Sequence, residues 1–343
     1  MPHARTRVNA QLTAQRRVLL RALGAAGLIT IVPARAQQTG KVWRIGILLP
    51  RARPAVIDAD PVYRALAHGM RDLGYIDGKN ASYQWKFADG RYEQLPRLAA
   101  ELVQANVDVI IAVTSPCVRA AKQATTTIPI VMVAVGDPVA LGFVTSYARP
   151  GGNLTGVSNS IDDVSSKYIE LLRAAVPRLT RVAVLVNPVN PNTVNIHRQI
   201  EASAKSGGIA VMRVEAKSAA QLVEGIAAAR KGRAAALIVQ ADSLFFEQRS
   251  LIASETLKQR MPTMFWNKDG VDTGGLMSYG SNNADDFRRA SRFADRILKG
   301  THPRDLPVEQ PIKFEFAINR KTATALGLKI PQELLLRADE VIE

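Results

Sequence analysis

From residue 41 onward the chain alternates short aliphatic runs with amphipathic segments, and few architectures accommodate that order. Trp43-Arg44-Ile45-Gly46-Ile47-Leu48-Leu49 reads as a first strand. Asp60 followed by Pro61 predicts a helix start, Gly74 predicts its end, and Val62, Leu66, Met70 and Leu73 fall on one face between them. Tyr92, Leu95, Leu98 and Leu102 repeat that spacing in the next helix. Strand-like runs follow at 107–113 and 128–133, and a second series opens at Arg181-Val182-Ala183-Val184-Leu185-Val186, continuing at 209–212 and 234–239. Continuous β-branched runs suit strands covered on both faces, as in parallel sheets. Two such series, joined near Arg149-Pro150-Gly151-Gly152-Asn153, predict an α/β protein of two similar lobes. In open parallel sheets a ligand sits beyond the carboxyl ends of the strands. That rule selects the loops at 50–55, 114–116, 135–138, 187–190, 241–243 and 265–267.

The first 36 residues are different in kind. They hold six of the 45 Lys and Arg residues and no acidic one, so the net charge of +15 falls to +9 without them. Arg16-Arg17 precedes an apolar stretch whose charge-free part, Ala22 to Ala34, is shorter than the ~20 residues a membrane span requires. It ends in Ala34-Arg35-Ala36, a small-x-small pattern of the kind signal peptidase accepts. The segment reads as a cleaved, twin-arginine-like export signal, residues 1–36, leaving a mature protein in the periplasm with no stable membrane insertion. The remaining charges alternate in sign without a like-charge block or basic-aromatic interleaving, so nucleic acid is not an expected partner.

Several chemistries lack their residues. Cys117 is the single cysteine, and His3, His68, His197 and His302 are scattered, which argues against a disulfide framework and a metal centre. Neither a G-x-G-x-x-G turn after a strand nor a phosphate-binding Walker loop occurs, and Gly156-Val157-Ser158-Asn159-Ser160 lacks the closing glycine of a nucleophile elbow. The expectation is a non-enzymatic protein without a cofactor.

The longer motifs are more specific. Leu73-Gly74-Tyr75-Ile76-Asp77-Gly78-Lys79-Asn80, Thr127-Ile128-Pro129-Ile130-Val131 and Ala148-Arg149-Pro150-Gly151-Gly152-Asn153-Leu154-Thr155-Gly156 are followed by Gly274-Gly275-Leu276-Met277-Ser278-Tyr279-Gly280. Leu306-Pro307-Val308-Glu309-Gln310-Pro311, Ala325-Leu326-Gly327-Leu328-Lys329-Ile330-Pro331 and Arg337-Ala338-Asp339-Glu340-Val341-Ile342 complete the series. Together they resemble the substrate-binding proteins of ABC importers, in the branch that includes tryptophan- and tyrosine-type uptake proteins, over essentially all of residues 41–343. The resemblance implies a type I periplasmic binding fold, with two Rossmann-like lobes that close on a small solute and present it to a permease whose ATPase subunit drives transport. Crossovers are expected near Val157–Ser160, Met277–Gly280 and Val308–Gln310, giving a first lobe of 41–157 plus 280–308 and a second of 158–279 plus 309–343. A sensory binding protein that docks to a membrane receptor uses the same fold and is the alternative. The expected state is a monomer, and the expected solute an amino acid or an aromatic or carboxylated compound.

Within that frame the site candidates are nine. Thr114 and Ser115, at a strand-to-helix junction, offer hydroxyls and amides for a carboxylate, or simply cap the helix. Asp137 and Asp242 end strands and suit a cation, although Asp137-Pro138 is also turn chemistry. Ser158, Asn159 and Tyr279 lie at crossovers, where ligand and hinge meet. Asn187 follows the first strand of the second series, and Trp266 is placed to stack on a planar ligand or to pack in its lobe. Arg51 and Arg53 depart from the small residues this family places in the first loop. Either one, facing the cleft, favours an additional anionic group on the ligand.

Overall fold

The computed structural model describes residues 41–159, 164–311 and 313–343. The export segment and Ser160, the end of the first expected crossover, lie outside the described residues. β1 (Trp43–Leu49) forms where its apolar run predicts. Asp60 then accepts hydrogen bonds from the amides of Val62 and Tyr63, with Pro61 at the first helical position, and starts α1 (Pro61–Asp72). β2 (Ala81–Phe87), α2 (Leu95–Gln104), β3 (Val109–Val113), α3 (Thr114–Ala124), β4 (Ile130–Val135) and β5 (Leu154–Ser158) complete the first half. The five strands form a parallel sheet in the order β2-β1-β3-β4-β5. The runs expected at 107–113 and 128–133 pair two residues later than their apolar character begins. In the second of them Pro129 has no N–H to give the ladder, and pairing begins at Ile130.

The two-residue period of a strand divides the core of this sheet. Ile45, Ile47, Leu49, Val109, Ile111 and Val113 pack with Tyr63, Leu66 and Met70 of α1 on one face. Leu48, Ile110 and Ala112 pack with Leu98, Leu102 and Val118 of α2 and α3 on the other.

The second half contains α4 (Val164–Ala175), β6 (Arg181–Val186), α5 (Thr193–Ser206), β7 (Ala210–Glu215), α6 (Ala219–Lys231) and β8 (Ala236–Val239). It continues through α7 (Ser243–Glu247), α8 (Arg249–Lys258), β9 (Thr263–Phe265), α9 (Lys268–Asp272) and β10 (Met277–Ser281). The chain then returns to the first sheet as α10 (Asn283–Leu298), whose Phe287, Phe293 and Ile297 join the α1 side of that core. It ends in the second sheet with β11 (Phe314–Asn319), α11 (Arg320–Ala325), α12 (Gln332–Arg337) and β12 (Glu340–Ile342). The seven strands lie in the order β12-β11-β10-β9-β8-β6-β7. All pairs are parallel, as expected for such a fold, except β10 with β11, which is antiparallel.

Residues Val42–Glu343 form one compact unit containing both sheets. Three crossings join them, after β5, after β10 and around Glu309. At the second, Gly280 and Ser281 still pair with β11 before the chain leaves the sheet. Gly280 is required there: a Cβ would lie 1.7 Å from the Trp266 carbonyl oxygen. The crossings are tied together. The Ser158 amide donates to the Glu309 carbonyl at 2.9 Å, the Glu309 amide donates to the Gly156 carbonyl at 2.9 Å, and Arg289 donates to the Glu309 carboxylate at 2.6 and 2.9 Å. No helix among the described residues is long and apolar enough to cross a membrane.

Candidate functional site

The carboxyl ends of β3 and β4 face those of β8 and β9 across a cleft, and the residues just past these ends line a cavity. About 80 Å³ of it is open to the centre of a water molecule, room for several waters. The first half supplies Arg51, Tyr63, Thr114, Ser115 and Gly136, and the second supplies Asn190, Asn192, Asp242, Phe246 and Trp266. Asn159 lines the cavity from the first crossing, and Asn283 and Phe287 from α10.

Two non-glycine residues on this wall have left-handed backbones, Thr114 at φ 71° and Ala134 at φ 54°. For a β-branched residue this conformation is strained, and such strain persists where surrounding structure imposes it, commonly at ligand clamps. It turns the first residue of α3 toward the cleft. Three buried polar atoms on lining residues also have no hydrogen-bond partner in the protein: Thr114 Oγ1, Tyr63 OH and Arg51 Nε. The Thr114 hydroxyl has only the weakly polar Cys117 thiol beside it. Buried polar groups are nearly always paired, so the Thr114 and Tyr63 hydroxyls call for a partner that enters from outside, whereas Arg51 Nε faces the Glu247 carboxylate at 3.4 Å without a well-aligned hydrogen bond.

Asp242 lines the cavity, but its carboxylate is already saturated. Oδ1 accepts from Asn187 Nδ2 at 3.0 Å and from the Leu244 amide at 2.9 Å. Oδ2 accepts from Asn190 Nδ2 at 2.9 Å and from Tyr92 OH at 3.1 Å. Burial pushes its pKa up, and these donors hold it back. The expected cation role therefore gives way to a structural one, in which Asp242 orients Asn190 in the cavity wall and bonds across the cleft to Tyr92. Asn187 does not line the cavity; its amide stands one bond behind, holding Asp242.

Thr114, Ser115, Asn159 and Trp266 are brought together as expected. Trp266 also packs against Phe265, with ring centroids 6.3 Å apart. Asp137, Ser158 and Tyr279 are not part of this wall. The Asp137 carboxylate accepts from the amides of Val139 and Ala140, both at 3.0 Å, which is the turn chemistry of Asp-Pro. Ser158 binds the Glu309 carbonyl through both its amide and its hydroxyl, where the two crossings meet. Tyr279 stacks on Phe314 at 5.6 Å in the second sheet. Of the two first-loop arginines, Arg51 lines the cavity and Arg53 lies over Phe87, 5.6 Å from its centroid.

Tyr63 and Phe246 also line the cavity and were not expected there, because each lies within a helix and neither follows directly on the end of a strand. Asn190 and Asn192 lie in or beside a loop selected by the strand-end rule, yet nothing in their spacing separates lining from turn. A Cβ on Gly136 would lie 1.9 Å from Asn192 Nδ2, so the two halves meet closely at this point.

The family described as ABC transporter substrate binding protein matches residues 54–342. The chain belongs to this family. Its fold is the type I periplasmic binding fold. Among its relatives is a protein of Clostridioides difficile (strain R20291) named tyrosine-binding protein, 27% identical over 272 residues, covering 79% of this chain and 77% of that protein. A Streptococcus pneumoniae ABC domain solved in complex with L-Trp superposes with a TM-score of 0.81 at 24% identity, over 88% of this chain and 99% of that one. A ligand-free, open substrate-binding protein with adhesive properties from Clostridium difficile has the same identity and coverage, 24% over 88% and 99%, with a TM-score of 0.63.

Proposed function

We propose that this substrate-binding protein captures a small carboxylated organic solute, amino acids included, between its two halves and delivers it to an ABC permease. The observation that carries the reading is the trio of orphaned polar atoms on Thr114, Tyr63 and Arg51 around one cavity at the strand ends. All three can donate, and the strained start of α3 adds backbone amides, so the complementary group is a carboxylate. The solute-binding names of its relatives agree with that class.

Contacts across the cleft support a closed, ligand-bound-like arrangement. Tyr92 reaches Asp242 at 3.1 Å, and the Ala52 amide donates to the Glu247 carboxylate at 3.3 Å. The TM-score is 0.81 with the L-Trp complex and 0.63 with the ligand-free, open structure, which agrees with a closed arrangement. In this reading solute contacts from both sides stabilise the closed state, which is the state offered to the permease. A separate ATPase subunit supplies the energy. The protein works as a monomer in the periplasm after cleavage following Ala36.

The test is a melting-temperature screen of protein unfolded and refolded to remove carried-over solute, against amino acids, aliphatic acids, aromatic acids, amines, nucleosides and sugars. A solute at 100 times its Kd adds about 2.7 kcal/mol, read as a rise in Tm. Hits confined to carboxylated compounds support the reading; hits confined to sugars, nucleosides or amines overturn it. Ser115→Ala is expected to weaken the best hit by about 10–100-fold, the loss of one hydrogen bond to a charged group, with the apo Tm nearly unchanged. Calorimetric titration of both proteins checks this, and equal affinities would remove Ser115 from the site.

A further inference from the structure

Arg51 holds a position in the cleft that a solute would otherwise take. Its guanidinium carbon lies 4.9 Å from the centroid of the Tyr63 ring, on the first half, and 4.1 Å from that of Phe246, on the second. A planar cation thus lies over one aromatic ring from each half of the molecule, where a ligand's aromatic ring would otherwise be gripped. The side chain is anchored there. Nη2 pairs with Asp60, the residue that caps α1, and Nε stands 3.4 Å from the Glu247 carboxylate on the far side. Phe246 is itself backed by Arg249, whose guanidinium carbon lies 4.4 Å from its centroid, so this ring is fixed as well. The unpaired Tyr63 hydroxyl and Arg51 Nε border the slot.

We propose that Arg51 is the specificity-determining residue of the cavity, its guanidinium filling the Tyr63–Phe246 slot so that the site excludes aromatic side chains and selects small aliphatic carboxylates. The inference rests on the carboxylate reading above and narrows it. Charge and shape act in the same direction. The guanidinium closes the slot to a ring, while the Tyr63 hydroxyl and Thr114 Oγ1, neither hydrogen-bonded within the protein, present donors to a compact anion beside its positive charge. Asp242 has no lone pair left for an ammonium, so an acid without an amino group is accommodated at least as well as an amino acid.

The experiment compares native protein, R51A and R51K by calorimetry with L-tryptophan, L-tyrosine, succinate, glutarate and L-malate. The native protein is expected to bind at least one aliphatic acid tenfold or more tightly than either aromatic amino acid. R51A opens the slot and removes a donor, and is expected to lower that preference at least tenfold, chiefly through gained affinity for L-tryptophan or L-tyrosine. R51K keeps the charge but not the planar stack and is expected to move the same way by a smaller factor, which keeps the proposal testable if R51A does not fold. A native preference for L-tryptophan or L-tyrosine overturns the proposal, and so does a ratio within threefold of native in the folded variants. Either result leaves the carboxylate reading standing when some acid binds. Silence of the native protein toward every carboxylated compound, here and in the screen, removes both.

Discussion

Asp242→Ala is expected to lower the unfolding free energy of the solute-free protein by about 3–5 kcal/mol, because buried donors left without an acceptor cost about 1–3 kcal/mol each. Four donors converge on this carboxylate: the amides of the Asn187 and Asn190 side chains, the Leu244 backbone N–H and the Tyr92 hydroxyl. Only 6% of the residue is exposed, so water cannot take the place of the lost oxygens at most of them. The substitution also removes the side-chain cap of α7 and the hydrogen bond from Tyr92 across the cleft. Thermal or urea unfolding of the apo protein reads the effect. A variant with an unchanged apo Tm but greatly weakened solute binding would instead restore Asp242 to the role of a ligand's counter-charge.

The second large effect is one of pH. Asp286, at the start of α10 beside the second crossing, is 2% exposed, and burial raises its carboxyl pKa to about 7. The Ser281 hydroxyl donates to Oδ2 at 2.9 Å and Arg289 stands 3.8 Å from Oδ1, both favouring the ionised form, while Asp285 opposes it. A carboxyl whose folded pKa lies above its unfolded value of about 4 contributes stability that is fully present below the unfolded value. That contribution is lost as pH rises through the folded value. Native stability relative to Asp286→Asn should therefore fall between about pH 4 and pH 7, by up to roughly 4 kcal/mol at 1.36 kcal/mol per pKa unit. Urea unfolding of both proteins at pH 4.5 and 7.5 measures the difference. A native-to-variant gap that stays constant across this range would show that Asp286 titrates as an ordinary carboxyl.

The strands were legible because their pattern is physical. A run such as Arg181–Val186 has apolar residues on both faces, and only a strand covered from both sides buries it. Asp60 and Pro61 announce a helix start through local chemistry alone, and the structure realises it with the two amide bonds that capping requires. The antiparallel entry of β11 was not legible, since no residue in Phe314–Asn319 records the direction of its neighbour. The strand-end rule and the family resemblance together pointed to Thr114, Ser115, Asn159, Asp242 and Trp266, which line one cavity in the structure. What each does was harder to read. Asp242 reads as an available charge until Asn187, Asn190 and Tyr92 are seen converging on it from three separate segments. Asp137 has the same local appearance and is absorbed by its own turn. Tyr63 and Phe246 are aromatic residues inside helices, and nothing in their sequence neighbourhood marks them as lining a cavity. Only the fold brings both rings to Arg51.

A crystal structure of the refolded protein with the tightest carboxylated solute from the screen would place the ligand without intermediaries. The expected result is one solute between the two halves, its carboxylate within hydrogen-bond distance of Thr114 Oγ1 and at least one of Tyr63 OH and Arg51 Nε. A solute bound on the outer surface, or seated in the cleft with all three of those atoms still unpaired, would contradict the binding site described here.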